Sequence, residues 1–101
     1  MGTKTMKVRI FQNSVKFYLP RLEGYLETVR AIADMYGSMS LVELDGYFEG
    51  KFEPVKYTRV EVHTNEPVEG KITDFANKIR IKLNQTSLAY EFNNQLVLVS
   101  E

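Results

Sequence analysis

Apolar and polar residues alternate with a period of two from Tyr57 to Thr64: Thr58, Val60, Val62 and Thr64 fall on one side, and Tyr57, Arg59, Glu61 and His63 on the other. That pattern predicts a central strand in a sheet covered on one face only. Residues 7–12 alternate too, placing Val8 and Ile10 inward and Lys7, Arg9 and Phe11 outward, and are read as the first strand. Asn13 and Ser14 carry a turn signal, and 15–19 fits either a strand extension or an aromatic loop. Residues 41–49 read as a second strand with Val42, Leu44 and Phe48 inward and Gly46 at a bulge or close approach, followed by a turn at Gly50 and Lys51. Pro54 points to an edge or loop.

Helical spacing appears twice. From Pro20, suited to a first helical turn, Leu22, Tyr25, Leu26, Val29, Ile32, Ala33 and Tyr36 form one stripe around Gly24, and Gly37 closes the helix. Asn65, Glu66 and Pro67 break the central strand. A second helix from about Lys71 to Asn84 has the stripe Ile72, Phe75, Ala76, Ile79 and Leu83, with Lys78, Arg80 and Lys82 complementing its C-terminal dipole. Strands over 88–92 and 95–100 flank a two-residue hairpin turn at Asn93 and Asn94, since Asn tolerates positive φ. The order predicts a single α+β domain over 1–101: a ferredoxin-like sandwich with a four-stranded antiparallel sheet, two helices on one face and an extra C-terminal strand. Met6 offers a second start site, which would leave 1–5 outside the natural chain.

Glu43, Leu44, Asp45, Gly46, Tyr47, Phe48, Glu49 and Gly50, then Glu53 and Pro54 before a Val-rich strand, and Leu83 to Leu88 after the second helix form a set of short motifs. Over roughly residues 20–92 the chain resembles a family of small uncharacterised bacterial ferredoxin-like domains. The resemblance implies the fold and carries no activity.

Thirteen basic and thirteen acidic residues cancel, so no long-range field favours phosphate backbones or anionic lipid. The absence of cysteine excludes disulfides, thiolate catalysis and thiolate-bound metals, and suits a reducing cytoplasm. No apolar run approaches the ~18 residues that span a bilayer, and nothing near the N-terminus resembles a signal peptide.

The expected outward face gathers Arg9, Phe11, Glu43, Asp45, Tyr47, Tyr57, Arg59, Glu61 and His63. Charges on neighbouring strands pair across a solvated face, whereas Phe11, Tyr47 and Tyr57 beside arginine suit an interface. Arg9, Phe11, Tyr47, Tyr57, Arg59, Glu61 and His63 are therefore the candidate ligand or interface residues. His63, the one histidine, could serve as a general base beside Glu61 or Arg59, but a lone histidine near a strand end is more often an ordinary surface residue. No carboxylates are spaced around it as metal ligands, and no catalytic, metal or cofactor set is assigned.

Ser14, Ser38, Ser40 and Ser87 lack a nucleophile-elbow setting, and the glycines match no phosphate-binding fingerprint. An acylphosphatase-type loop is missing between Gln12 and Phe17. RNA binding through sheet aromatics is disfavoured by Glu43, Asp45 and Glu61. The leading expectation is a cytoplasmic, non-enzymatic interaction module that forms a homodimer through its open sheet face or terminal strand. The alternative is a small enzyme or small-molecule binder with a pocket on that face.

Overall fold

Val15, Phe17 and Leu19 are wholly removed from solvent, while Val8 and Ile10 are 73 % and 74 % exposed. The first strand therefore lies later than its alternation suggested. A computed structural model describes residues 4–65 and 69–101, and in it β1 spans Asn13–Pro20. Residues 7–12 form no strand; all of 4–12 is exposed. Three large apolar side chains, one of them Phe, release more surface from water than Val8 and Ile10 can, at about 1.5–3 kcal/mol each. Asn13 and Ser14 open β1 rather than making a turn: Ser14 N–H donates to Asn93 Oδ1 at 2.9 Å, and Asn93 N–H donates to the Ser14 carbonyl at 2.9 Å.

Helix α1 (Tyr25–Tyr36), strands β2 (Ser40–Phe48) and β3 (Lys51–Thr64), helix α2 (Glu69–Lys82), and strands β4 (Ser87–Phe92) and β5 (Gln95–Ser100) follow. The sheet runs β2-β3-β1-β4-β5 with every adjacent pair antiparallel. The expected ferredoxin-like sandwich, a four-stranded sheet with an appended strand, is thereby overturned. β5 pairs with β4 along its full length from Ser87↔Ser100 to Phe92↔Gln95, so it belongs to one continuous five-stranded sheet. The architecture remains α+β.

Both helices pack on one face. Phe17 meets Phe75 of α2 edge-on at 5.7 Å and Tyr90 of β4 at 6.2 Å. Val60, Val62, Ile72, Ala76, Ile79, Leu83 and Leu88 complete the core with Val29 and Ile32. Pro20 ends β1 opposite Tyr57 instead of starting α1, and Gly24 is the N-cap at φ 90°, a left-handed position that glycine takes without strain. Tyr25 and Tyr36 of the expected α1 stripe pack against the core. Thr28, Val29 and Ile32 are buried whereas Leu22 and Leu26 are exposed. Thr28 is satisfied internally, donating from Oγ1 to the Gly24 carbonyl at 3.0 Å. Lys82 reaches Glu27 at 3.2 Å and ties the helices together.

The face of β2 is the other correction. Leu44 pairs with Tyr57 and Val42 with Arg59, so both lie on the sheet face away from the helices, where the alternation had placed them inward. Leu41 and Glu43 share the helix-side face with Val60 and Thr58. Beyond Leu44 the register shifts, and Gly46 pairs with Glu53, leaving 54–56 as an excursion of β3 opposite Asp45. Pro54 sits there, where its missing N–H interrupts no regular pairing. The hairpin closes through Glu49 and Gly50 at φ 50° and 77°, and β4–β5 through Asn93 and Asn94 at φ 50° and 68°. Both turns take the conformation whose twist matches the strands. The expected strand break at Asn65, Glu66 and Pro67 falls mainly outside the described residues; Asn65 follows the end of β3.

Candidate functional site

The helix-free face carries Lys16 and Tyr18 from β1, Tyr57, Arg59, Glu61 and His63 from β3, Val42 and Leu44 from β2, Ala89 and Glu91 from β4, and Leu96 and Leu98 from β5. A charge ladder crosses its centre. Tyr18 Oη donates to Glu91 Oε1 at 2.6 Å, Lys16 Nζ lies 3.6 Å from Glu91 Oε2, and Arg59 Nε lies 2.7 Å from Glu61 Oε1. The Arg59 Nε is shielded from solvent and makes no aligned hydrogen bond, so its contact with Glu61 is chiefly coulombic. Burial, then the hydrogen bond and charge of Glu91, push the Tyr18 phenol above its usual range, although Arg59 pulls the other way. Burial lowers Arg59, but the charge of Glu61 and the Tyr18 hydroxyl outweigh it and hold the guanidinium firmly cationic.

At one end of this face is a pocket of about 660 Å3, formed where β1 ends, β4 begins and the β2–β3 hairpin projects. Tyr18, Leu44 and Tyr57 give it an apolar wall; Asp45, Glu53 and Lys56 give it charge; Gln85, Thr86 and Ser87 close the opposite side. Glu53 and Lys56 pair at 3.3 Å. Two local devices shape the walls. The β2–β3 register shift brings Gly46 under the Tyr57 ring. On the far side Arg80, only 9 % exposed, donates from Nε to Asn77 Oδ1 at 2.9 Å and from Nη1 to the Gln85 carbonyl at 3.1 Å. The expected dipole partner at the end of α2 is thus an internal clamp that fixes the corner between α2 and β4.

Of the seven candidate residues, Tyr57 lines the pocket. Arg59, Glu61 and His63 lie further along the same face of β3. Tyr47, 74 % exposed, stands on the hairpin opposite Phe52. Arg9 and Phe11 lie in the N-terminal segment, with the guanidinium 5.0 Å from the ring centre. Sequence reasoning did not place Tyr18, Glu53, Lys56 or the Gln85–Ser87 corner among the candidate ligand residues; Glu53 and Gln85–Ser87 entered only as motif residues, and Ser87 as a hydroxyl without a nucleophile setting. A pairing register would have found Tyr18, because it faces Arg59. No group of three or more His, Asp or Glu able to hold a metal occurs among the described residues, nor is any described helix long and apolar enough to cross a membrane.

No family model and no curated protein sequence matches the chain. Among solved structures it is similar to a phage SAM lyase in complex with S-methyl-5′-thioadenosine, with a TM-score of 0.67 and 13 % identity over 98 % of this chain and 97 % of that one. A phage SAM lyase in the apo state gives a TM-score of 0.64 at 14 % identity over 96 % and 97 %. At that identity the likeness is one of fold.

Proposed function

We propose that the chain is a small enzyme or small-molecule binder whose pocket takes a nucleoside bearing a sulfonium or thioether, such as S-adenosylmethionine (SAM) or S-methyl-5′-thioadenosine. This favours the alternative reading of the sequence over the non-enzymatic interaction module. One observation carries it: a pocket of ligand size in which Tyr18 and Tyr57 stand beside Asp45, Glu53 and Lys56. A purine ring stacks on a tyrosine face. A sulfonium centre is a fixed cation that two carboxylates favour, and the carboxylate of an amino-acid tail finds Lys56. Thr86 and Ser87 offer hydroxyls for a ribose. Support for this ligand class comes from the phage lyase of similar fold, solved with S-methyl-5′-thioadenosine. The lack of cysteine accords with a cytoplasmic setting, where such metabolites reside.

Isothermal titration with each compound, paired with chromatography of SAM incubated with the protein, tests the proposal. Binding of either compound that Tyr57→Ala weakens supports it, and release of S-methyl-5′-thioadenosine from SAM identifies a lyase. Failure of both compounds to bind would remove it.

A further inference from the structure

Residues 4–12 are fully outside the core yet are not composed like a solvated tail. Met6, Val8 and Ile10, at 87 %, 73 % and 74 % exposure, alternate with Lys7, Arg9 and Phe11. Arg9 lies over the Phe11 ring at 5.0 Å, which puts the two on one side of an extended chain. An extended segment with an apolar side and a basic side, lacking any strand neighbour, is half of a sheet pairing.

The other half lies at the edge of the sheet. β2 is an outer strand, so alternate backbone groups along it have no neighbouring strand. Its charge is opposite: no Lys or Arg occurs between Arg30 and Lys51, whereas Glu43, Asp45 and Glu49 do. Lys4, Lys7 and Arg9 precede the first acidic residue, Glu23. In one antiparallel register the two segments match at successive positions. Lys7 faces Asp45, Val8 faces Leu44, Arg9 faces Glu43, Ile10 faces Val42, and Phe11 faces Leu41. The apolar pairs Val8–Leu44 and Ile10–Val42 then extend the helix-free face, and Phe11 covers Leu41, which is 51 % exposed. A slip of one residue would set basic side chains against Val42 and Leu44, so the pattern specifies the register.

The pairing cannot form within one chain. Gln12 is tied at the start of β1, its N–H donating to Asn65 Oδ1 at 2.8 Å. A segment beside β2 would lie three strand spacings from β1, about 14 Å, while the two-residue step from Phe11 to Asn13 reaches about 7 Å. We infer that the N-terminal segment of one copy adds as a sixth strand to the β2 edge of a second copy of this chain, antiparallel, with Arg9 opposite Glu43 and Val8 opposite Leu44. Each copy gives a segment and receives one. Arg21, already 3.2 Å from Glu43, leaves that carboxylate 67 % exposed and able to accept a second cation.

The test uses the full chain, light scattering, and the absence of native cysteine. The wild type is expected to be oligomeric at high micromolar concentration, and Arg9→Glu to dissociate it. Glu43→Arg combined with Arg9→Glu should restore association. Under oxidation, Val8→Cys with Leu44→Cys should form inter-chain disulfides, and Val8→Cys with Ser100→Cys should not. Circular dichroism should show a folded α+β spectrum for all, because the altered side chains lie outside the core, with the dissociated variant losing only the strand signal of the added segment. A monomeric wild type, an oligomer indifferent to Arg9→Glu, or equal cross-linking from both cysteine pairs would overturn the inference. Ligand binding by a monomeric Arg9→Glu variant separates this outcome from the fate of the pocket reading.

Discussion

Gly46 lies so close beneath the ring of Tyr57 that a β-carbon there would stand 2.8 Å from Tyr57 Cε2 and 3.3 Å from Cδ2. The Tyr57 ring shares its sheet face with Leu44 and Pro20, its register partners on β2 and β1, and borders the pocket. The close approach is made possible by the register shift between β2 and β3, which trades regular pairing for a wall of the pocket.

Gly46→Ala should therefore displace the Tyr57 ring and cost about 1–3 kcal/mol, the usual range for overpacking. Urea unfolding reads the stability, and ligand titration reads the pocket. Adding Tyr57→Leu to Gly46→Ala should recover much of the stability but not the affinity, since the crowding is relieved and the stacking face is gone. An unchanged midpoint for Gly46→Ala alone would show that the ring moves freely.

If the acids of the pocket recognise a sulfonium, their effect must depend on ligand charge. Asp45→Asn or Glu53→Gln removes one negative charge while keeping size. For a cation about 4 Å away in water-like surroundings that is worth about 1 kcal/mol, roughly a 5-fold loss of affinity. Calorimetry should find this loss for S-adenosylmethionine and little change for the neutral S-methyl-5′-thioadenosine. Equal losses for both would assign the carboxylates to the walls of the pocket and not to charge recognition.

Tyr18 provides a pH signature. Its phenol is raised by burial and by Glu91, so the folded state holds the proton to higher pH than the unfolded chain. The associated stability is complete below the ordinary phenol value of about 10, and it is lost as pH rises through the folded value. The wild type should weaken through this alkaline window more steeply than Tyr18→Phe, measured as unfolding midpoints in a pH series. Glu91→Gln should move the Tyr18 phenolate transition downward in ultraviolet titration, because it removes the neighbouring negative charge.

The elements with one apolar stripe were legible. Ile72, Ala76, Ile79 and Leu83 face the core as their spacing requires, Val60 and Val62 are buried, and Asn93 and Asn94 turn a hairpin. Choices between competing patterns were not legible. Residues 7–12 and 13–20 both alternate, and only the supply of partners decides: β1 has β3 on one side and β4 on the other, fixed at its start by Asn93. Leu41 through Asp45 has apolar residues on both sides, so its facing depended on Leu44 meeting Tyr57. The pocket was hidden for a related reason. Its residues come from five separated stretches, and local periodicity is silent about what a shifted hairpin and a clamped helix corner bring together.

The core separates a hydrogen bond from a packing contribution at neighbouring positions. Tyr90 is fully buried, and its Oη lies 2.7 Å from Thr73 Oγ1, joining β4 to α2. Phe17, equally buried, makes only ring and aliphatic contacts, with Phe75 and Tyr90 among them. Tyr90→Phe keeps the ring and removes the hydroxyl with its bond to Thr73, so the cost should be about 0.5–1.5 kcal/mol. Phe17→Ala opens a cavity between the sheet and α2, and should cost about 3–5 kcal/mol. Since whole domains of this size are stable by about 5–15 kcal/mol, Phe17→Ala should bring the protein near its unfolding limit, whereas Tyr90→Phe should shift its midpoint modestly. Urea denaturation followed by circular dichroism ranks the two, and a larger loss from Tyr90→Phe would mean that the α2–β4 hydrogen bond, not the aromatic packing, holds this layer of the molecule together.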